Sequence, residues 1–348
     1  MSRSARNFLR SRSGSLVPVM IIAMIPLVTV VGFSVDYTEA VETRSGMQDA
    51  LDAAALSIVT LPTDASLADR QKALQQSFAA NNGQGIAKLD SFVIGADGTA
   101  TIGASANYSM PTSFMAIARI DSVAVGVTSD VRKTPALVQA TFKIDKASGW
   151  WNKTMTLYGT AFGQTAAVKM MQINYAYNNG GDPKGYGTTT VSTISGTKAT
   201  QVQQQVCTTS TVKNFNNVPA GAITSTDGSG VKRVTTCTTT PTNGAGAVID
   251  VSLMDALYLQ MDVPSGSPKT LKSNDPATSD RLYIDSVEVA AGKTVDIFTA
   301  VPCGQTSTQA WEDGGSAVPA PVANADFFYT VTGKCAYNQR PSQTLLTQ

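Results

Sequence analysis

The chain has 348 residues, a formal net charge of +1, only 15% charged residues and no histidine. That balance, with no Lys/Arg cluster beyond the N-terminal dozen residues, argues against a nucleic-acid partner, which calls for a basic patch. The lack of histidine removes Ser-His-Asp and Cys-His catalysis together with the commonest metal ligand.

Residues 1–15 form a short basic stub with Arg3, Arg6, Arg10 and Arg12 and no acidic residue. Leu16 to Val35 is then an uncharged apolar run, about 30 Å long as a helix and so matched to the hydrocarbon core of a bilayer. Pro18, Pro26 and Gly32 would weaken a soluble helix but are tolerated in a membrane span. A cleaved signal peptide fits less well, because its apolar stretch is about 7–15 residues and ends at a small-residue site, whereas Phe33–Tyr37 offers none. After the run come Asp36, Glu39, Glu42, Asp49 and Asp52 against the single Arg44. Basic residues stay on the cytoplasmic side, so the expected topology is single-pass, with the N-terminus cytoplasmic and everything after Val35 outside.

The 36–134 stretch reads as a small α+β unit. Helical spacing of Met47, Ala50, Leu51, Ala54 and Ile58 continues the helix past the membrane towards Thr60, ended by Leu61-Pro62. These five residues form a packing face, either against their own domain or against another helix. A second helix starts at Ser66, with a capping-box-like Ser66-x-x-Asp69 and Leu67, Leu74 and Phe78 expected inside; Asn81-Asn82-Gly83 stops it. Period-two patterning then marks strands at 92–94, 99–108 and 121–131, with a Gly95–Gly98 turn between the first two.

Gly32-Phe33-Ser34-Val35-Asp36-Tyr37, followed by Arg44-Ser45-Gly46-Met47-Gln48-Asp49-Ala50-Leu51-Asp52-Ala53-Ala54-Ala55-Leu56, resembles the N-terminal segment of TadG-like proteins of the tight-adherence (Flp-type) pilus assembly system. Those proteins show a basic start, one apolar span, a "G-x-x-V/A-D-Y" exit and a helix of this form. Pro111-Thr112-Ser113-Phe114 with Ile120-Asp121-Ser122-Val123 is similar to the end of that unit. The resemblance covers the N-terminal third. It implies an inner-membrane protein that faces the periplasm and works with other pilus-assembly proteins. Position five after Gly14 is Val19 where processed pilins carry glutamate, which argues against a pilin subunit. Asp250-Val251-Ser252-Leu253-Met254 lacks the second serine of the D-x-S-x-S metal motif found in larger relatives, and reads as ordinary strand.

From 136 to 337 the chain reads as an all-β, sandwich-like domain, with strands expected at 137–146, 150–162, 168–177, 248–262, 281–289 and 293–300. The tail, 338–348, looks loose. The overall class is therefore α+β. Cys207, Cys237, Cys303 and Cys335 are disulfide candidates in an oxidising compartment; of three connectivities, neighbour pairing closes the most compact loops. No C-x2-4-C pair supports zinc, and no glycine loop is followed by Lys-Ser/Thr, so no cofactor is expected. Asp275, Asp280, Asp285, Glu312 and Asp313 could offer oxygens to calcium, but scattered acids in a β domain are usually solvated and no metal site is assigned. Trp150, Trp151, Tyr175, Tyr177, Tyr186, Trp311, Phe327, Phe328 and Tyr329 either fill the sandwich or, where exposed, stack on a ligand. The expected function is a non-enzymatic structural component of such a pilus or a related adhesion or secretion system. The alternative is an envelope-anchored β domain that binds a glycan or protein independently of pili.

Overall fold

The computed structural model describes residues 16–242, 244–340 and 342–347. The arginine stub therefore lies outside the described residues. The chain divides into two compact units, one from the N-terminal 134 residues with the C-terminal few, the other from 135–340. The class is α+β, with a second unit that is almost entirely β.

In the first unit the apolar run and the packing helix are one continuous element, α1 (Leu16–Ile58), about 65 Å long at the helical rise. Pro26 lies inside it without ending it. α2 (Leu67–Ala80) opens on a complete capping box: Ser66 Oγ accepts from Asp69 N–H at 3.1 Å, and Asp69 Oδ2 accepts from Ser66 N–H at 3.3 Å. Leu67, expected inside, is exposed; the buried stripe of α2 is Arg70, Leu74 and Phe78. The strands β1 (Ile86–Ile94), β2 (Ala100–Pro111) and β3 (Ser122–Lys133) form an antiparallel meander. Both helices cover one face of it. Met47, Ala50, Leu51, Ala54 and Ile58 are all buried there with Leu74, Phe78, Ile102, Val125, Val127 and Val131.

The far end of the chain corrects one expectation. Thr344–Leu346, expected to be loose, is β18 and pairs with β3 at Lys133, Arg132 and Val131, making the order β1-β2-β3-β18. Residues 338–340 do not belong to a loose tail either: Asn338 is buried and donates to Ser252 C=O, within the second unit. The pairing is favourable because β3 otherwise leaves a free edge. Thr134 N–H donates to Gln343 C=O at 2.9 Å, and Ser342 Oγ donates to Thr134 C=O at 2.7 Å, so the chain leaves and re-enters this unit at one place.

Two buried cations close the C-terminal end of α1. Arg70 donates to Ile58 C=O at 2.9 Å and to Pro62 C=O at 2.8 Å, and its guanidinium stacks 4.3 Å from the Phe92 ring centroid. Lys133 donates to Val59 C=O at 2.9 Å. A helix end presents unpaired carbonyls and a negative partial charge, and here both are met inside the core. Burial, then the neighbouring Arg70 charge, pushes the Lys133 ammonium down to about 8 from the ordinary lysine value.

The second unit is built from two sheets. One has the order β13-β12-β5-β6-β7-β8-β10-β9 and the other β11-β4-β17-β16-β14-β15. The first contains β5 (Lys153–Ala161), β6 (Ala167–Tyr177), β7 (Gly187–Ser195), β8 (Lys198–Val212), β9 (Ile223–Thr226), β10 (Lys232–Thr240), β12 (Met254–Asp262) and β13 (Thr270–Lys272). The second contains β4 (Ala136–Ala147), β11 (Ala247–Asp250), β14 (Leu282–Ile284), β15 (Val287–Glu288), β16 (Thr306–Trp311) and β17 (Phe327–Ala336). Phe142, Ile144, Trp311, Phe327, Tyr329 and Val331 from one sheet meet Met155, Leu157, Met171, Ile173, Leu259 and Met261 from the other in a single core, the arrangement of a β-sandwich.

Several strand expectations change in detail. The run 248–262 is two strands in different sheets, broken where Asp250 Oδ1 accepts from Ser252 N–H at 2.8 Å. Residues 293–300 are not a strand: Asp296 caps a one-turn helix, α3 (Ile297–Ala300), through Phe298 N–H. β5 starts at Lys153 rather than at 150, because Gly149 turns the chain at φ +102°. β16 and β17 are further strands; in β16 the apolar alternation is broken because Ser307 and Gln309 occupy inward positions where an apolar residue is expected. Gln309 Oε1 and Trp311 Nε1–H are instead joined through the buried Tyr329 hydroxyl, at 2.9 and 3.0 Å.

Both disulfides join sequence neighbours, Cys207–Cys237 and Cys303–Cys335. The first cross-links directly opposed residues of β8 and β10, in a Thr/Ser-rich ribbon that buries little apolar surface. Loops of this size give about 3–4 kcal/mol each in the chain-entropy account. For the first unit, Arg70→Leu leaves the Ile58 and Pro62 carbonyls without their guanidinium donor; the expected cost is about 2–4 kcal/mol, read by urea unfolding of the detergent-solubilised chain.

Candidate functional site

Two places in the molecule concentrate unusual chemistry, one in each unit. The first lies where α1 leaves its apolar run. Asp36 is fully buried, and its carboxylate accepts from three consecutive backbone N–H groups: Ser113 at 3.2 Å, Phe114 at 2.9 Å and Met115 at 2.6 Å. These residues begin the loop between β2 and β3, which contains the short 3-10 turn Met115–Ala118. Gly32 lies one turn earlier on the same side of α1. A Cβ at Gly32 would stand 2.5 Å from Phe114 Cβ, so only glycine lets the loop approach this closely. The glycine and aspartate of the exit motif and the Pro111-Thr112-Ser113-Phe114 motif, separate in sequence, are thus the two halves of one clamp.

Around the clamp the surface of α1 changes character. Met20, Ile22, Met24, Leu27, Val28, Val30 and Val31 are exposed, while every large apolar residue from Met47 to Val59 is buried or half-buried. The stretch Ile22–Ile58 is the one helix among the described residues long and apolar enough to cross a membrane, by length and composition. The five packing residues Met47, Ala50, Leu51, Ala54 and Ile58 face the sheet of their own unit, so that face is fully used inside the chain. Gln48 is also engaged, donating to Asp52 and to Thr128 C=O, both at 2.9 Å.

The second place is a cleft of about 400 Å³ in the sandwich unit, lined by Trp150, Trp151, Lys184, Glu312, Asp313 and Asp326. Glu312, Asp313 and Asp326 bring carboxylate oxygens within 4.8 Å of one another. Of the five acids considered for calcium, Glu312 and Asp313 are together here. Asp275 instead caps its own turn through Ala277 N–H, and Asp285 accepts from Thr308 N–H on β16. Lys153 already lies inside the acidic group, its ammonium 2.5 Å from Asp313 Oδ2, 4.0 Å from Asp326 Oδ2 and donating to Ser148 C=O at 2.8 Å. It supplies the positive charge that a metal would otherwise bring.

Burial raises Asp326 to about 7, with Asp313 and Glu312 pushing the same way against the opposing pull of Lys153. Burial likewise raises Glu312, whose Oε1 accepts from Ser316 N–H while Oε2 is buried without a hydrogen-bond partner. Trp150 is 61% exposed at the rim. Of the other aromatics, Tyr175, Tyr186, Trp311, Phe327 and Tyr329 are buried, while Tyr177 and Phe328 are half-buried. Asp250 and Ser252 form only a local turn at the end of an outer strand.

Sequence reading found Glu312 and Asp313 but missed Lys153 and Asp326. The available signal was register: Lys153 alternates with Met155 and Leu157, so it is carried on the inward face of β5.

Two outcomes follow from this geometry. Asp36→Ala removes the acceptor shared by three amides, so hydrogen exchange at Ser113, Phe114 and Met115 accelerates while exchange in β2 and β3 stays slow. For Asp326, the folded state holds its proton up to about pH 7 and the unfolded chain releases it near 3.8, so this group's contribution to stability falls as pH rises through that window. Asp326→Asn therefore flattens the pH dependence of thermal unfolding between those limits.

No curated protein and no solved structure matches the chain. Residues 14–57, nearly coextensive with α1 and including Gly32 and Asp36 of the clamp, match the family model of Flp pilus-assembly TadE/G-like proteins, so the similarity lies in the N-terminal segment of this chain.

Proposed function

We propose that the chain is a membrane-anchored structural component of a tight-adherence (Flp-type) pilus or a related adhesion or secretion system, with no catalytic step of its own. The observation that carries this reading is the division of α1 into an exposed apolar half and a half buried in a folded unit, within the segment that matches the TadE/G-like family. A contiguous apolar surface of that size is unfavourable in water and favourable in a bilayer. The arginines before the run and the carboxylates after it orient the span with its N-terminus in the cytoplasm and both units in the periplasm of the inner membrane. Two disulfides fit that oxidising compartment.

The packing face of α1 is consumed by its own sheet, so other pilus-assembly proteins have the opposite side of the helix available. That side carries the exposed Val41, Ser45 and Asp49 just beyond the span. The sandwich unit is then a periplasmic module on the same anchor, stiffened by its disulfides.

A photoreactive residue at Val41, in the full chain in its native membrane, tests the assignment. Crosslinks to pilins or assembly-platform proteins, with pili lost on deletion, are the expected result. Crosslinks to lipid alone with pili unchanged on deletion overturn it, and binding of the purified chain to an envelope polysaccharide would then move the function to the sandwich unit.

A further inference from the structure

The loop between β2 and β3 is fastened to α1 at the end of its apolar run rather than to the rest of the sheet's surface. Asp36 holds the amides of Ser113, Phe114 and Met115, and Phe114 lies against Gly32. Gly32 is one helical turn back from Asp36 into the apolar stretch, about 6 Å along the axis. The loop therefore sits at the level of the last apolar turn.

Its composition matches that level. Between Ser113 and Asp121 the chain reads Phe114-Met115-Ala116-Ile117-Ala118-Arg119-Ile120, with Arg119 its single charge. Ile117 is 64% exposed, Ile120 44% and Phe114 38%. None of the three belongs to the core of the unit. The 3-10 turn buries no residue, so its apolar side chains are not explained by packing within the protein. The turn at the opposite end of β2, Gly95-Ala96-Asp97-Gly98, has no large apolar residue of its own, and the exposed apolar side chains there are Val93 and Ile94 on the strand before it.

We propose that this loop is a second membrane contact, and that the occupant of its apolar face is the lipid surface through which α1 passes. Phe114, Ile117 and Ile120 lie in the acyl-headgroup boundary of the periplasmic leaflet, and the Arg119 side chain reaches outward to lipid phosphates. The first unit is then held to the bilayer at two points, the span and the loop, with Asp36 locking one to the other. Two points restrict its tilt, which a single helix would leave free. The inference rests on the reading of α1 as a span.

The test uses the full chain with both disulfides intact, reconstituted in phosphatidylethanolamine/phosphatidylglycerol vesicles. Single cysteines at Val28→Cys, Ile117→Cys and Ala96→Cys each carry the same environment-sensitive fluorophore, and doxyl-labelled lipids report contact. Val28 lies within the span, and Ala96, exposed at the far end of the β-meander, is the aqueous control. The expected result is quenching at Ile117 several-fold stronger than at Ala96, together with quenching at Val28. Quenching at Val28 with Ile117 indistinguishable from Ala96 overturns the loop contact and leaves the span standing. An unquenched label at Val28 overturns the span and the loop contact with it. Because Ile117 is exposed, its replacement leaves the core of the unit untouched.

Discussion

A buried carboxylate costs too much to leave unpaired, and that constraint fixes the most consequential junction in this chain. Asp36 gives up its water and is repaid by three amides in a row from the β2–β3 loop. Because those amides belong to the loop that joins β2 to β3, the carboxylate also decides which turn of α1 ends the free apolar rod and begins the folded unit. Gly32 completes the junction by having no side chain to hold Phe114 away. N-terminal to it, Met20, Ile22, Met24, Leu27, Val28, Val30 and Val31 point outward, whereas from Met47 onward the large apolar residues of the helix point at the sheet.

The other end of the same helix follows related electrostatics. Its terminal carbonyls run into a core, and Arg70 and Lys133 accompany them. Lysine at that site is held well below its ordinary proton affinity, a sign of how dry the environment is. The sandwich unit repeats the device once more with Lys153, which ties Ser148 to Asp313 across the edge of the cleft. Removing such a cation leaves buried oxygens without compensation; in the cleft, burial first and the neighbouring carboxylates second raise Asp326 and Glu312.

All three cations interrupt an apolar pattern in the sequence. Arg70 falls on the stripe of Leu74 and Phe78, Lys133 two residues after Val131 in the inward register of β3, and Lys153 two before Met155 in that of β5. A charge on the buried period is an address for a partner, but the pattern does not name the partner. Ile58, Pro62 and Val59 carbonyls or Asp313 become the answer only when distant segments meet.

Local physics was legible along the sequence. The twenty-residue apolar run, the helix that continues from it, the capping box at Ser66, the Gly95–Gly98 turn and the disulfide candidates each follow from residues close together in the chain. The TadE/G-like character of the N-terminal segment was equally local, since its motif is a stretch of one helix. What needed tertiary structure was every relation set by pairing at long range. Tertiary pairing turned the end of the chain into β18 because β3 offers an open edge 200 residues earlier in sequence, roughly, and edges attract strands whatever their separation. It divided 248–262 between two sheets, and it made Asp36 and Ser113–Met115 one site. A sequence states which groups must be buried or paired; only the folded chain settles with whom, because burial and hydrogen bonding depend on distance in space and not along the backbone.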